Sequence, residues 1–144
     1  MPLKFAVGPG TILRCDFSRG GFQPPEMVKP RPAIVLSPRL PHRDGLCTVV
    51  PISQTPPPRD DLPYVVKLVI DPPLPEPYAD PLVWVKCDML ATVGFERLDL
   101  FRTERDHEGK RKYLHPKISP EDLQRVRTGV LWALGLGNLT LTGE

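Results

Sequence analysis

The sequence predicts a mainly β fold, a small barrel of short strands with one C-terminal α-helix. Three observations predict it. Five short strand-like runs lie between Thr11 and Asp88, some alternating and some continuously apolar. The chain holds 20 prolines, clustered in QPPEMVKPRP, QTPPPRDDLP and DPPLPEPYADP. Proline lacks a backbone donor and is excluded from central strands and helix interiors, so these clusters read as loops or sheet edges. Helical spacing appears in one place only, after Ser119. At 144 residues, with no internal repeat, the chain reads as a single domain over 1–144. That length buries a core without disulfide or metal staples.

Each element has its own signal. Gly8-Pro9-Gly10 is a turn, and TILRCDF (Thr11 to Phe17) follows it as a half-buried strand. Ile12, Arg14 and Asp16 fall on one face of that strand, Leu13, Cys15 and Phe17 on the other. Ser18 to Pro30 is a Gly/Pro loop. Ala33 to Leu36 is a continuous apolar run, as a strand buried on both faces requires. After a loop over Pro38 to Gly45, LCTVVPI (Leu46 to Ile52), YVVKLVI (Tyr64 to Ile70) and LVWVKCD (Leu82 to Asp88) read as strands. Ala91 to Val93 extends the last of these or begins a bend. Gly94 to Leu100 reads as a turn with Phe95 and Leu98 packed inward. Phe101 to Pro116 is charged and exposed, with Lys112 to Leu114 as a possible short strand.

The helix is marked at both ends. Ser119 is the N-cap, Pro120 takes the first helical position, and Glu121 and Asp122 meet the positive end of the helix dipole. Leu123, Val126, Val130, Leu131 and Leu134 recur at helical spacing, and Gly135 or Gly137 ends the helix. The polar tail Asn138 to Glu144 is expected to fray.

Composition narrows the function classes. The net charge of +2 is too small to argue for nucleic acid by itself, so such a role must rest on a local site. Cys15, Cys47 and Cys87 form no framework and no C-x-x-C pair, which points to free, buried thiols in a reducing compartment. No apolar run is long enough to span a bilayer, and the N-terminus has no signal-peptide core. A cytoplasmic protein without a membrane partner is the expectation. P-loop, G-x-G-x-x-G, G-x-S-x-G and H-E-x-x-H motifs are all lacking. His42, His107 and His115 lie in polar loops, and no ligand set completes Asp60-Asp61, so neither cofactor nor metal is expected.

What remains is positional. In KPRPAIVLSP, Arg31 stands between Pro30 and Pro32 at the mouth of a buried strand. The prolines stiffen the backbone that carries it. A guanidinium presents five donors in a planar fork matched to phosphate. LCTVVPISQT brings Ser53 and Gln54 to a strand exit, where barrels build sites. A fixed arginine beside a hydroxyl suits a phosphorane-like transition state. The residues alone leave two readings open, a phosphate clamp or a surface arginine among ordinary prolines.

PGTILRCDF, KPRPAIVLSP, GLCTVVPISQT, LVWVKCDM and ISPEDLQRVRTGVLWALGL together resemble the MazF/PemK family of toxins from bacterial toxin–antitoxin pairs, in the family's order and over most of the chain. The resemblance implies an SH3-like barrel, a homodimer, a cognate antitoxin and a metal-independent endoribonuclease. Such an enzyme cuts single-stranded RNA at short sequences, leaving a 2′,3′-cyclic phosphate and a free 5′-hydroxyl. The family's R-P-[AV] arginine falls on Arg31, and a glutamate five residues earlier falls on Glu26. The family's threonine at the end of the third strand falls on Ser53, which keeps the hydroxyl and loses the methyl that restricts its rotamer. The first loop, GGFQPPEMVKPRP, departs further from the family's Gly-Ser-Glu-Gln-like stretch.

The expected roles follow from chemistry. Arginine does not give up its proton in a protein, so Arg31 is an electrostatic clamp on the phosphate. Ser53 donates a hydrogen bond to a phosphate oxygen. Glu26 is the candidate base for the 2′-hydroxyl, provided partial burial lifts its affinity for a proton. Lys29, Gln54, Trp84 and Lys86 are candidate RNA contacts, with Trp84 stacking a base or else packing in a core or dimer interface. The competing reading is a non-catalytic SH3-like module that binds protein or nucleic acid. It draws on the serine at 53 and the rewritten loop.

Overall fold

A computed structural model describes residues 2–139. The chain forms seven antiparallel strands and one helix: β1 (Ile12–Asp16), β2 (Pro30–Val35), β3 (Leu46–Ser53), β4 (Val65–Val69), β5 (Leu82–Lys86), β6 (Ala91–Gly94), β7 (Leu98–Asp99) and α1 (Pro120–Ala133). The strands run in the order β4-β5-β3-β2-β1-β7, with β6 also paired to β3. The mainly β class with a C-terminal helix therefore holds. The expected tail falls largely outside the described residues.

The barrel expected from the sequence does not close. Among the described residues no hydrogen-bonded pair joins β4 to β7. The reason lies in β3, which is longer than any one neighbour. Leu46 to Val49 pair with β6, whereas Ile52 and Ser53 pair with β5. Pro51 sits between these two partners. Thr48 uses its carbonyl on the β2 side, accepting from the Leu36 amide at 2.9 Å. Backbone groups alternate along a strand, so the missing donor of Pro51 points the other way, into the gap where β3 changes partner. A short 3-10 turn, Phe95–Arg97, carries the chain from β6 directly to β7, bridging two edges of the curled sheet without hydrogen-bonding them.

Two cores lie on opposite faces of β2 and β3. Leu13, Cys15, Phe17, Ala33, Val35, Val49, Val93 and Leu98 fill the curl. Ile12, Ile34, Val50, Ile52, Val66, Val83, Val85, Val126 and Val130 form the second core, under α1. This is why the Ala33 run has no polar face, whereas β1 and β4 alternate. All three cysteines are free and buried, as expected. Burial pushes the thiols of Cys15 and Cys87 up to about 12.

The helix begins as its sequence requires: Ser119 Oγ accepts from the Asp122 amide at 3.1 Å. Leu134 caps the other end, and Gly135 follows with φ 78°. The amides of Gly135 and Leu136 return to the carbonyls of Trp132 and Leu131, a Schellman closure. Leu134 is therefore past the last turn and exposed rather than on the buried face. Gly129 was not singled out by periodicity, yet a Cβ there would stand 2.8 Å from Cys87 Sγ, so glycine lets α1 sit directly on the sheet.

Two further elements differ from expectation. Cys87–Met89 form a 3-10 turn, and the following Ala91–Gly94 is a separate strand on β3 rather than an extension of β5. Lys112 to Leu114 makes a single bridge, Arg102 to Tyr113, in place of a strand.

Candidate functional site

The prolines around Arg31 lie inside β2, not in a loop before it. The Val35 amide donates to Thr11 and the Leu36 amide to Thr48, so odd residues of β2 turn their backbone groups to β1 and even residues to β3. Pro30 and Pro32 are even. Their absent donors would face β3, where the ladder starts only at Ala33 opposite Pro51. Arg31 is odd and remains paired with β1, opposite Cys15. The prolines thus end one side of the ladder while the other side still holds Arg31. β3, released, turns to β5. A gap in the ladder opens beside Arg31, and Ser53 ends β3 on the same side.

Arg31 is half-buried, and its Nε is fully buried with no hydrogen-bond partner. Leaving such a donor unsatisfied costs roughly 1–3 kcal/mol, more when the group is charged. The neighbouring carboxylate does not relieve it. Asp16, opposite Pro30, accepts from the amide and hydroxyl of Ser18 and lies 3.8 Å from Arg19 Nε. The Ser18 hydrogen bonds hold its carboxyl below the usual range. A guanidinium donor left unpaired where the ladder breaks has the chemistry to pair with an anion.

Ser53 is 3% exposed, and its Oγ accepts from the Thr55 amide at 3.1 Å. Its own proton remains available to donate. Across the sheet, Ser53 stands opposite Trp84 and Trp84 opposite Lys67. Directly opposed residues share a face, so Ser53, Trp84 and Lys67 form one row. Lys86 lies two residues from Trp84 on the same face. The alternate residues Ile52, Val85 and Val66 point into the core under α1. The row therefore faces away from the helix. Among the described residues, the side chains of Lys29, Gln54, Lys67 and Lys86 have neither hydrogen bond nor ion pair.

Glu26 is not brought to Arg31 by any contact. It is exposed, and its Oε1 accepts from the Gln23 amide of its own turn at 3.2 Å. The burial on which its role as base depended is absent. The turn is nonetheless carried on fixed backbone, because Phe22 and Met27 on either side pack on the core within the curl.

Sequence reasoning missed three residues here. Lys67 is one polar position within YVVKLVI, and only the pairing places it beside Trp84. Tyr78, from the loop between β4 and β5, donates to the Pro30 carbonyl at 3.4 Å, on the side that β3 leaves open. Arg97 ties down the start of the first loop. Its guanidinium donates to the carbonyls of Asp16 (3.1 Å), Arg19 (2.9 Å) and Gly20 (3.1 Å) and lies 4.7 Å from the Phe22 ring. Contacts between distant segments leave no local pattern, so nothing in the sequence marks these three.

Comparison with known proteins places these features in context. Residues 9–133 match the family model described as PemK-like, MazF-like toxin of type II toxin–antitoxin system. Among solved structures, an endoribonuclease from Mycobacterial species is 20% identical with a TM-score of 0.56, covering 92% of this chain and 94% of that one. An endoribonuclease from Mycobacterial species in complex with its cognate antitoxin is 18% identical, with a TM-score of 0.53 and coverage of 91% and 95%. MazF from Deinococcus radiodurans is 18% identical, with a TM-score of 0.54 and coverage of 91% and 98%. At such identities the likeness is one of fold. No curated protein sequence matches the chain.

Proposed function

The chain belongs to the PemK-like, MazF-like toxins of type II toxin–antitoxin systems, and from that premise we propose that it is an endoribonuclease that cuts single-stranded RNA at the Arg31 gap. The single observation that carries the proposal is the buried, unpartnered Nε of Arg31 beside the proline-made break in the ladder.

In this reading the ribose 2′-oxygen attacks the adjacent phosphorus and the bond from phosphorus to the 5′-oxygen breaks. One proton leaves the 2′-hydroxyl and one reaches the departing 5′-oxygen. The products are a 2′,3′-cyclic phosphate and a 5′-hydroxyl. Arg31 neutralises charge on the non-bridging oxygens and stays protonated throughout. Ser53 donates its hydroxyl proton as a hydrogen bond to one of those oxygens. Trp84 offers a ring to a base, and Lys67, Lys86 and Lys29 meet phosphates along the strand. Gln54 follows Ser53 at the strand exit as a polar contact. Glu26 accepts the 2′-proton only if its turn swings from the Gln23 amide toward Arg31, which makes Glu26→Gln a test of loop motion as much as of chemistry.

We read the protein as a cytoplasmic homodimer held inactive by a cognate antitoxin. Among the described residues, no helix is long and apolar enough to cross a membrane. Trp132, Leu134, Leu136 and Leu139 at the end of α1 are exposed, an apolar surface suited to burial in an assembly. Digestion of mixed-sequence single-stranded RNA in EDTA, wild type against Arg31→Ala, tests the catalytic reading. Cleavage by wild type alone, with cyclic-phosphate ends, is the expected result. RNA binding without cleavage by folded wild type would favour the non-catalytic module.

A further inference from the structure

We propose a second RNA contact, separate from the Arg31 gap: a nucleobase site between the N-terminal segment and the basic return arm of the Arg102–Tyr113 hairpin. The proposal rests on the reading of single-stranded RNA as substrate. Phe5 and Tyr113 are 79% and 46% exposed, and both line one hollow of about 360 Å³. Leu3, Val7 and Leu100 give it apolar walls.

Both rings stand on pinned backbone. Leu3 donates its amide to the Leu98 carbonyl at 2.8 Å and is buried, and Val7 packs on the core within the curl. Phe5, between these anchors, is thereby held outward. Tyr113 bridges Arg102, whose guanidinium lies 5.8 Å from its ring, and the next amide, that of Leu114, donates to Phe101 at 2.7 Å. Large rings held in water by fixed backbone lose little entropy on stacking against a flat ligand.

The charge around the hollow selects the ligand. Lys4 and His115 lie in its lining, and the return arm adds Lys112 and Lys117 on either side of Tyr113, while Glu104 and Asp106 on the facing arm lie across from Arg111 and Lys110. Among the described residues, the one carboxylate in the lining, Asp99, is paired with Arg102 at 2.8 Å. Exposed rings with Lys4 and His115 in the same lining match a base and its phosphates. The hollow is within reach of the same strand of RNA, because β2 and β7 flank β1, two strand spacings or about 10 Å apart.

The test is fluorescence anisotropy with a labelled, mixed-sequence oligoribonucleotide methylated at every 2′-oxygen, which lacks the attacking hydroxyl. Full-length wild type, Phe5→Ser, Tyr113→Ser and Lys112→Ala are compared, each checked for an unchanged unfolding temperature. Each ring variant is expected to bind about tenfold more weakly, while kcat on saturating cleavable RNA stays at the wild-type value. Lys112→Ala lowers the salt slope of binding by about one. Tyr113→Phe, which keeps the ring, restores affinity. Wild-type affinity in both ring variants, with cleavage intact, overturns this inference and leaves the Arg31 reading standing. So does a loss of self-association with RNA affinity unchanged, which would make the hollow a contact between copies. Wild type that neither binds nor cuts RNA overturns the substrate reading itself.

Discussion

Arg31 and Arg97 are two half-buried arginines that both approach the curl near Cys15, and they are treated in opposite ways. Arg97 donates to three carbonyls and covers an aromatic ring. Arg31 has a buried Nε with no partner at all. The first arrangement is a finished structural bond between the turn before β7 and the first loop. The second leaves a buried donor unmet, which the proposed function assigns to a phosphate. In the proposed reading, the difference separates a residue that holds the fold from one that the fold holds ready.

The largest expected effect breaks that comparison from the Arg31 side. Arg31→Ala is expected to lower RNA cleavage by about 10²–10³-fold, the scale of removing one transition-state donor. It should leave the unfolding midpoint in urea unchanged or slightly raised, because the lost group had no partner to leave behind. A marked loss of stability would assign Arg31 to the scaffold. The opposite pattern is expected for Arg97→Ala: a loss of roughly 1–3 kcal/mol in urea unfolding, with faster proteolysis between Gly20 and Lys29. Its effect on cleavage should be smaller than that of Arg31→Ala.

How far the sequence carried this contrast depends on the range of the signal. β1, β3, β4, β5 and α1 were legible because period and capping are local, and Arg31 drew notice as a candidate because its prolines adjoin it. The open sheet was not, because periodicity shows which face is buried and not which strand is the partner. The two prolines in β2 looked like loop for the same reason. They are tolerated only because their missing donors face the unpaired side. Arg97, Tyr78 and Lys67 act across long sequence separations. Glu26 was carried over from a motif, and its environment did not follow.

Ser53 sharpens the comparison at an intermediate scale. Ser53→Ala removes both the acceptor for the Thr55 amide and the donor to phosphate. It should reduce cleavage about tenfold and cost about 1 kcal/mol. Ser53→Thr keeps the hydroxyl, so most of the cleavage rate should survive in an RNA digestion assay. Lys67→Ala comes next. Raising KM a few-fold with kcat unchanged, and flattening the salt dependence of RNA binding by about one unit of slope, would place it on a phosphate. An unchanged KM would return it to the solvated surface.

The last effect concerns the Cys15 thiol, opposite Arg31 in the ladder. Burial raises Cys15 from 9.0 to about 12, and the charge of Arg97 pulls in the opposite direction. A thiol with a raised folded value contributes stability that is complete below pH 9 and is lost as pH rises toward 12, because the unfolded chain ionises first. Urea unfolding should therefore weaken across that window, and less so in Cys15→Ala. An identical alkaline slope in the two proteins would contradict this assignment.

The most direct test of the central contrast is NMR of the arginine Nε–H groups, titrated with the fully 2′-methylated oligoribonucleotide. The account predicts that the Arg31 resonance shifts and its exchange with water slows on binding, while that of Arg97 stays in place. RNA binding that leaves the Arg31 signal unmoved would contradict the claim that its buried donor is kept for a phosphate.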